Sequence, residues 1–242
     1  MKISIICCYF NEINLIKKNL LNSLSKINYL IQPEEIILVD NNSNDGTKEF
    51  LKENFENKIN NVKIIFNDRN LGKGGSIKKA SDEAKGDILC IFDIDEYEIE
   101  DLNSCIKNVI NNNYDLVIGS RLLEINPNFL YKKNLYGVII LTKLINILFN
   151  LNLTDAAGAT KVYRRELFNR IYINSNGFDF EFELICKFAK LNFKVSETVS
   201  KYQPRSYSEG KKLRAFKDGF KIMFVILKSF LTPKWKVLKK TN

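Results

Sequence analysis

Histidine is absent from all 242 residues. This excludes a Ser-His-Asp or Cys-His relay, a histidine general base and every His-containing zinc site. Any catalysis must run on carboxylates, Lys or Arg, hydroxyls, thiols or a cation bound through oxygen. Cysteine is scarce: Cys7, Cys8, Cys90, Cys105 and Cys186 are odd in number and never fall in a CxxC spacing. They read as small buried apolar residues of a reducing compartment, neither staples nor zinc ligands. Long apolar runs are also missing. The longest, 136–149, is interrupted by Lys143 and Asn146 and falls short of the ~20 residues needed to cross a bilayer. The opening MKISIICCYFNE has one lysine and a short apolar run passing straight into polar sequence, as in a first core strand and unlike a secretory leader. Neither a repeat nor a linker interrupts the chain, so one domain with a C-terminal elaboration is expected.

What is present suffices for a core: 45% of residues are apolar and 27% charged, a globular composition. Lys and Arg number 37 against 28 Asp and Glu, a net charge of +9, which favours anionic partners such as nucleic acid, phosphorylated small molecules or an acidic membrane surface. In the first half β-prone runs (2–8, 35–40, 62–66, 87–92 and 115–119) alternate with helical patterns (14–25, 47–56, 76–84 and 101–112). That rhythm predicts an α/β fold, a mostly parallel sheet with helices on both faces. Such sheets bind ligands at the carboxyl ends of their strands, and the polar loops fall there: Asn11-Glu12, Asp40, 68–75, 93–96 and Ser120-Arg121. The second half predicts amphipathic helices within 127–153, a strand leading into a helix at 161–166, a helix over 180–190, a strand over 194–200, and a final amphipathic helix over 213–230 after a basic loop.

Several constellations can carry chemistry. Asp93 and Asp95 stand at alternate positions after DILCIF, followed by Glu96 and Glu98. Carboxylates so placed suit a hard divalent cation, Mg²⁺ or Mn²⁺, that bridges to substrate phosphates; a solvated acidic turn is the plain alternative. Asp40 ends its strand where an acid can accept from a ribose hydroxyl or a base N–H; the plain alternative is an Asx turn capping the helix that starts near Thr47, a role that also suits Asp45. The run 70–75, NLGKGG, enters a helix, where glycines let backbone N–H groups approach phosphate and Lys73 adds charge; it is neither a P-loop nor GxGxxG, and a simple helix-entry turn fits equally. Arg121 can grip a diphosphate through two N–H groups. Arg205, Lys211 and Lys212 offer the same to a second phosphate, or are merely solvated.

Taken in order, these blocks resemble the family 2 glycosyltransferases of GT-A fold, and within them the polyprenyl-phosphate sugar synthases. FNE (10–12) resembles the family's YNE, VDNNSNDGT (39–47) its VDDGSTDGT, and the run 70–87 its glycine block ending in GD. FDID (92–95) resembles the DAD metal motif, IGSR (118–121) a further block, and LTDAAGATKVYRRE (153–166) the acceptor-side segment. GFDFEFELICKFAK and RSYSEGKKLRAFKDG resemble the closing helix and basic loop of one bacterial subgroup. Three departures stand out: Cys8 where the family has proline, Asn41 where it has a second acid, and one residue fewer after DID, leaving Glu96 or Tyr97 as the third metal-side ligand.

The resemblance implies a nucleotide-sugar-binding half, 1–121, and an acceptor-binding half, 122–242, in an inverting transferase that uses a nucleoside-diphosphate sugar. Asn11, Glu12 and Asp40 would hold the nucleoside, Asp93 and Asp95 the cation on the diphosphate, with Lys73 and Arg121 neutralising it. Asp155 matches an active-site aspartate near the acceptor, and Arg205 and Lys211 the loop that meets the acceptor phosphate. A phosphate acceptor is already ionised near pH 7, whereas a sugar hydroxyl needs a base, for which Asp155, Asp179 or Glu181 would serve. The basic loop, the lysine-dotted segments 132–149 and 213–231 and the positive charge favour a lipid phosphate and a peripheral position on the cytoplasmic face of an anionic membrane. The rivals are a saccharide-hydroxyl acceptor, an inactive GT-A-like binding module and a nucleotidyltransferase. The last would carry its glycine loop directly after the first strand, where this chain has CYFNE. Nucleic acid is disfavoured because no recognisable binding motif is present.

Overall fold

The computed structural model describes residues 1–94, 97–124, 132–203 and 215–239. The first half alternates strand and helix: β1 (Ile3–Tyr9), α1 (Ile13–Leu30), β2 (Glu35–Asp40), α2 (Thr47–Phe55), β3 (Val62–Phe66), α3 (Gly72–Glu83), β4 (Ile88–Ile91), α4 (Ile99–Asn111) and β5 (Leu116–Ser120). Then follow α5 (Lys132–Phe149), β6 (Lys161–Arg164), α6 (Arg165–Asn169), α7 (Asp179–Lys190), β7 (Val195–Val199), α8 (Ala215–Leu231) and α9 (Lys234–Val237).

The strands form one sheet in the order β3-β2-β1-β4-β6-β5-β7. All run parallel except β6, which is antiparallel to both neighbours, Lys161 pairing with Ile91 and with Ile118. Strands covered on both faces need no polar alternation, and every residue of β2, EIILVD, is buried. One face of the sheet, with Ile6, Ile37, Leu89 and Tyr163, packs on α3, α5, α7 and α8. The opposite face, with Ile5, Leu38, Cys90 and Val162, packs on α1, α2 and α4. Helix α4 meets it through Ile99, Leu102, Cys105, Ile106 and Val109, an i, i+3, i+7 stripe. Four of the five cysteines are buried, Cys8 is half-buried, and none forms a disulfide; loss of solvation still pushes the Cys8 thiol up to about 12.

The expected elements are present with shifted ends. Helix α1 runs to Leu30, beyond the predicted Ser25, because Ile27 continues the buried stripe Ile16, Leu20, Leu24. Helix α3 starts at Gly72, four residues before the predicted Ser76. The insertion of β6 between β4 and β5 was not legible from strand-helix alternation. Its consequence is functional: being reversed, β6 begins at the edge where β4 and β5 end, and delivers the loop 153–160 there.

Candidate active site

The carboxyl edge of the sheet gathers most of the expected residues. At the end of β1, Asn11 has a left-handed backbone (φ 53°), and its Oδ1 accepts from the Asn44 amide at 2.9 Å while its own amide donates to Ser43 Oγ. The Glu12 amide donates to Thr47 Oγ1 at 2.9 Å. Asp45 accepts from the Ile13 amide and from the amide and hydroxyl of Thr47; burial opposes its charge, but these bonds win and hold its carboxyl below the usual range. The β1 and β2 loops are thus tied together by polar side chains.

Asp40 is fully buried at the end of β2. Its Oδ2 accepts from the Ser43 amide at 3.1 Å, whereas Oδ1 is buried without a hydrogen-bond partner among the described residues. Such an acceptor is costly to leave unsatisfied, and a nucleoside hydroxyl or ring N–H is the donor chemistry it suits. Asn41 accounts for its own departure from the family's acid: its amide donates to Asn70 Oδ1, and its carbonyl accepts from the Leu71 amide and Asn67 Nδ2. A carboxylate has no proton for Asn70.

The glycines of 70–75 serve packing. A Cβ on Gly72 would lie 2.3 Å from the Asn176 carbonyl oxygen, and one on Gly74 2.4 Å from Phe180 Cβ; the Gly75 amide itself donates to the Asn176 carbonyl. The turn before α7 therefore sits directly on the start of α3, which brings Glu181 to Lys73. Lys73 Nζ lies 2.7 Å from Asp93 Oδ2 and 2.9 Å from Glu181 Oε1. Glu181 in turn faces Lys161 Nζ at 3.4 Å. Burial works against the Lys73 charge, but Asp93 and Glu181 outweigh it and raise its pKa well above the ordinary lysine value. For Lys161, fully buried, the cost of burial dominates over Glu181 and lowers it.

Beside this row of alternating charges stands a second pair. Arg121, after β5, donates from Nε and Nη2 to the two oxygens of Asp155 at 2.6 and 2.8 Å, and its amide adds a third bond at 3.1 Å. Burial favours the neutral acid, but the Arg121 guanidinium outweighs it and holds Asp155 below the usual carboxylate range. The Arg121 guanidinium also lies over the Tyr202 ring, 5.1 Å from its centre.

Asp95 and Glu96, and Arg205, Lys211 and Lys212 of the basic loop, lie outside the described residues. Asp93 is a hard oxygen donor at the expected strand end, which fits a divalent cation; among the described residues no group of three or more acids or cysteines gathers to hold one. Tyr97 is buried, its ring stacked near Tyr202 and its hydroxyl 3.4 Å from the Ala159 amide. Asp179 pairs with Lys221 of α8 at 2.9 Å. Sequence reasoning missed two participants, Lys161 and Glu197; neither the mixed strand KVYR nor VSETV singles them out, because their partners come from other elements.

Comparison with known proteins identifies the family and the fold. The sequence profile of Glycosyl transferase family 2 matches residues 4–172. The low-salt glycan biosynthesis hexosyltransferase Agl6 of Haloferax volcanii is 27% identical over 191 residues, 77% of this chain and 44% of that protein. The dolichyl-phosphate beta-glucosyltransferase of Dictyostelium discoideum is 23% identical over 219 residues, 84% of this chain and 65% of its own length. The chain thus spans less than two thirds of each of these relatives. Glucosyl-3-phosphoglycerate synthase of Mycobacterium tuberculosis, crystallised with Mn²⁺, UDP and phosphoglyceric acid, superposes with a TM-score of 0.70 over 96% of this chain and 79% of its own at 15% identity, a shared fold. With residues 4–172 matched, well over half of its length, the protein belongs to glycosyl transferase family 2 and has the GT-A fold.

Proposed function

We propose that the protein is an inverting glycosyltransferase that moves a sugar from a nucleoside diphosphate to a lipid phosphate at an anionic membrane surface. The observation that carries this reading is the state of the carboxylates. Asp155 is held charged by two bonds from Arg121, Asp179 is held below the usual range by Lys221, and Glu181 lies between two lysines. A general base needs a lone pair aimed at the acceptor and a pKa near the working pH. Asp155 and Asp179 are held below that range, and the Glu181 oxygens are turned to Lys73 and Lys161, so the acceptor best suited to the site is one already ionised, a phosphate monoester. Its oxygen attacks the anomeric carbon, the bond from that carbon to the diphosphate breaks, and the electron pair leaves with the diphosphate.

In this reading Asn11, Glu12 and Asp40 hold the nucleoside, with Asp40 Oδ1 accepting from it. Lys73 and Arg121 place fixed positive charge where negative charge grows on the leaving diphosphate, the kind of preorganised electrostatic support worth most in transfer reactions. Asp93 and Asp95 would hold a Mg²⁺ or Mn²⁺ ion, which supplies further charge neutralisation at the diphosphate. Arg205 and Lys211 would receive the acceptor phosphate. A lipid carrier is favoured over a water-soluble phosphate by the outer faces of α5 and α8, where Tyr136, Ile140, Ile147, Phe220, Phe224 and Leu231 are exposed.

The test is a thermal-shift screen of UDP-, GDP- and CMP-linked sugars with and without Mn²⁺. One nucleotide is expected to stabilise the protein in a metal-dependent way, by about 2.7 kcal/mol at a hundred times its Kd. Asp93→Asn and Asp95→Asn are expected to remain folded and lose that response. Failure of every nucleotide to stabilise the protein would favour the inactive binding module.

A further inference from the structure

The loop that carries Asp155 has no regular secondary structure, yet its five consecutive backbone N–H groups from Leu153 to Ala157 all donate to side-chain oxygens. Leu153 donates to Asn146 Oδ1 at 2.9 Å and Ala156 to Thr142 Oγ1 at 3.0 Å, both on α5. Ala157 donates to Asp155 Oδ1 at 3.1 Å. The two at the centre, Thr154 and Asp155, donate to one carboxylate, Glu197 Oε2 at 2.6 Å and Oε1 at 2.7 Å. The Thr154 hydroxyl is 2.9 Å from Glu197 Oε2 and 2.6 Å from Ser120 Oγ, next to Arg121. Glu197 lies on β7, paired with Ile118 of β5, so a regular strand fixes its backbone.

We infer that Glu197 is a positioning residue for sugar transfer: its carboxylate sets the Thr154-Asp155 turn, and through Asp155 it fixes the Arg121 guanidinium at the carboxyl edge of the sheet. The inference rests on the proposed transfer reaction only in placing Arg121 at the reacting diphosphate. A carboxylate is the side chain this turn requires, because both partners are N–H donors and both oxygens must accept. Glutamine has the same shape, but turns an NH₂ group toward one of those donors and leaves it unsatisfied. Asp155 holds Arg121 through Nε, Nη2 and the backbone amide together, so a displaced Asp155 carries Arg121 with it.

The experiment compares wild type with Glu197→Gln and Arg121→Lys in the full chain. Turnover uses the nucleotide sugar chosen by the donor screen, with undecaprenyl phosphate in detergent, and ¹⁵N NMR follows hydrogen exchange of the Arg121 Nε–H. Glu197→Gln is expected to keep its fold, to lose kcat on the order of 10- to 100-fold with little change in KM for the nucleotide sugar, and to exchange the Arg121 Nε–H at least about tenfold faster. A loss of melting temperature with unaltered exchange and kcat would mean a merely structural carboxylate and would overturn the inference, as would a change in either readout without the other. Should Glu197→Gln fail to fold, Glu197→Asp, which keeps the charge but ends about 1.5 Å short, replaces it with the same expectations. If Arg121→Lys loses turnover while Glu197→Gln does not, only the role of Glu197 is lost. If Arg121→Lys turns over like wild type, the placement of Arg121 in the proposed reaction is what fails.

Discussion

Asp155 and Arg121 show how a buried pair can be indispensable without being a source of net stability. Asp155 is fully buried and Arg121 nearly so; forming the pair removes two charges from water, and the bidentate geometry with its third, backbone bond offsets that cost. Removing one partner strands the other. Asp155→Asn is expected to destabilise the protein by about 3–5 kcal/mol at neutral pH. The pH dependence has a definite sign. The folded-state pKa of Asp155 lies below its ordinary value of 3.8, so its contribution is fully present above that value and is lost as pH falls through the folded pKa. Urea unfolding of wild type and Asp155→Asn should therefore show a gap that is constant near neutrality and narrows progressively once the pH falls to about 4 and below. A gap that narrows already between pH 7 and pH 5 would mean that another group controls the pair.

Among the elements, the contact between α3 and the turn before α7 decides whether the charge row forms. Gly74 is in the first turn of α3, where alanine is normally the better helix former. Here a Cβ would meet Phe180 Cβ at 2.4 Å and the Gly177 carbonyl at 3.0 Å, atoms close to or part of the backbone that cannot swing away. Overpacking of this kind costs about 1–3 kcal/mol, so Gly74→Ala is expected to destabilise. Gly137→Ala in α5, whose Cβ would meet nothing within 4 Å, is expected to be neutral or slightly stabilising. Urea midpoints of the two variants check the contrast, and equal effects would refute the packing account. The same contact shows what the sequence carries. The strands, and most of the helices, were legible because burial imposes a local period on them. The candidate residues were legible because they end strands. The partner of Lys73 was not, since Glu181 is 108 residues away by number (181 − 73) and reaches it only because three glycines thin one helix face. Glu197 and Lys161 were hidden for the same reason, being charges within strands whose partners come from another element.

For the whole molecule, the question is what covers the outer faces of α5 and α8. Helix α8 is apolar twice over: Ile222 and Ile226 point inward and are buried, while Phe220, Phe224, Leu227 and Leu231 are exposed on the other side, and Trp235 of α9 continues them. No helix of the described residues is long and apolar enough to cross a membrane. A second copy of the chain is a poor fit. Residues 132–149 contain three lysines and no acid, and 218–239 contain five lysines against Asp218 alone, so a two-fold interface would set lysine against lysine. An anionic bilayer takes the aromatic stripe at its interface and neutralises the lysines around it. The protein is expected to co-sediment with phosphatidylglycerol-containing vesicles and to bind neutral phosphatidylcholine vesicles far more weakly, about 100-fold if three lysines each contribute about 1 kcal/mol. Phe220→Ser, Phe224→Ser and Trp235→Ser combined should abolish binding without changing the metal-dependent response to nucleotide, because these side chains lie outside the charge row. Equal binding to both vesicle types, or concentration-dependent dimerisation that the triple variant removes, would assign the face to something other than an anionic lipid surface and would leave a soluble phosphate as the acceptor to test.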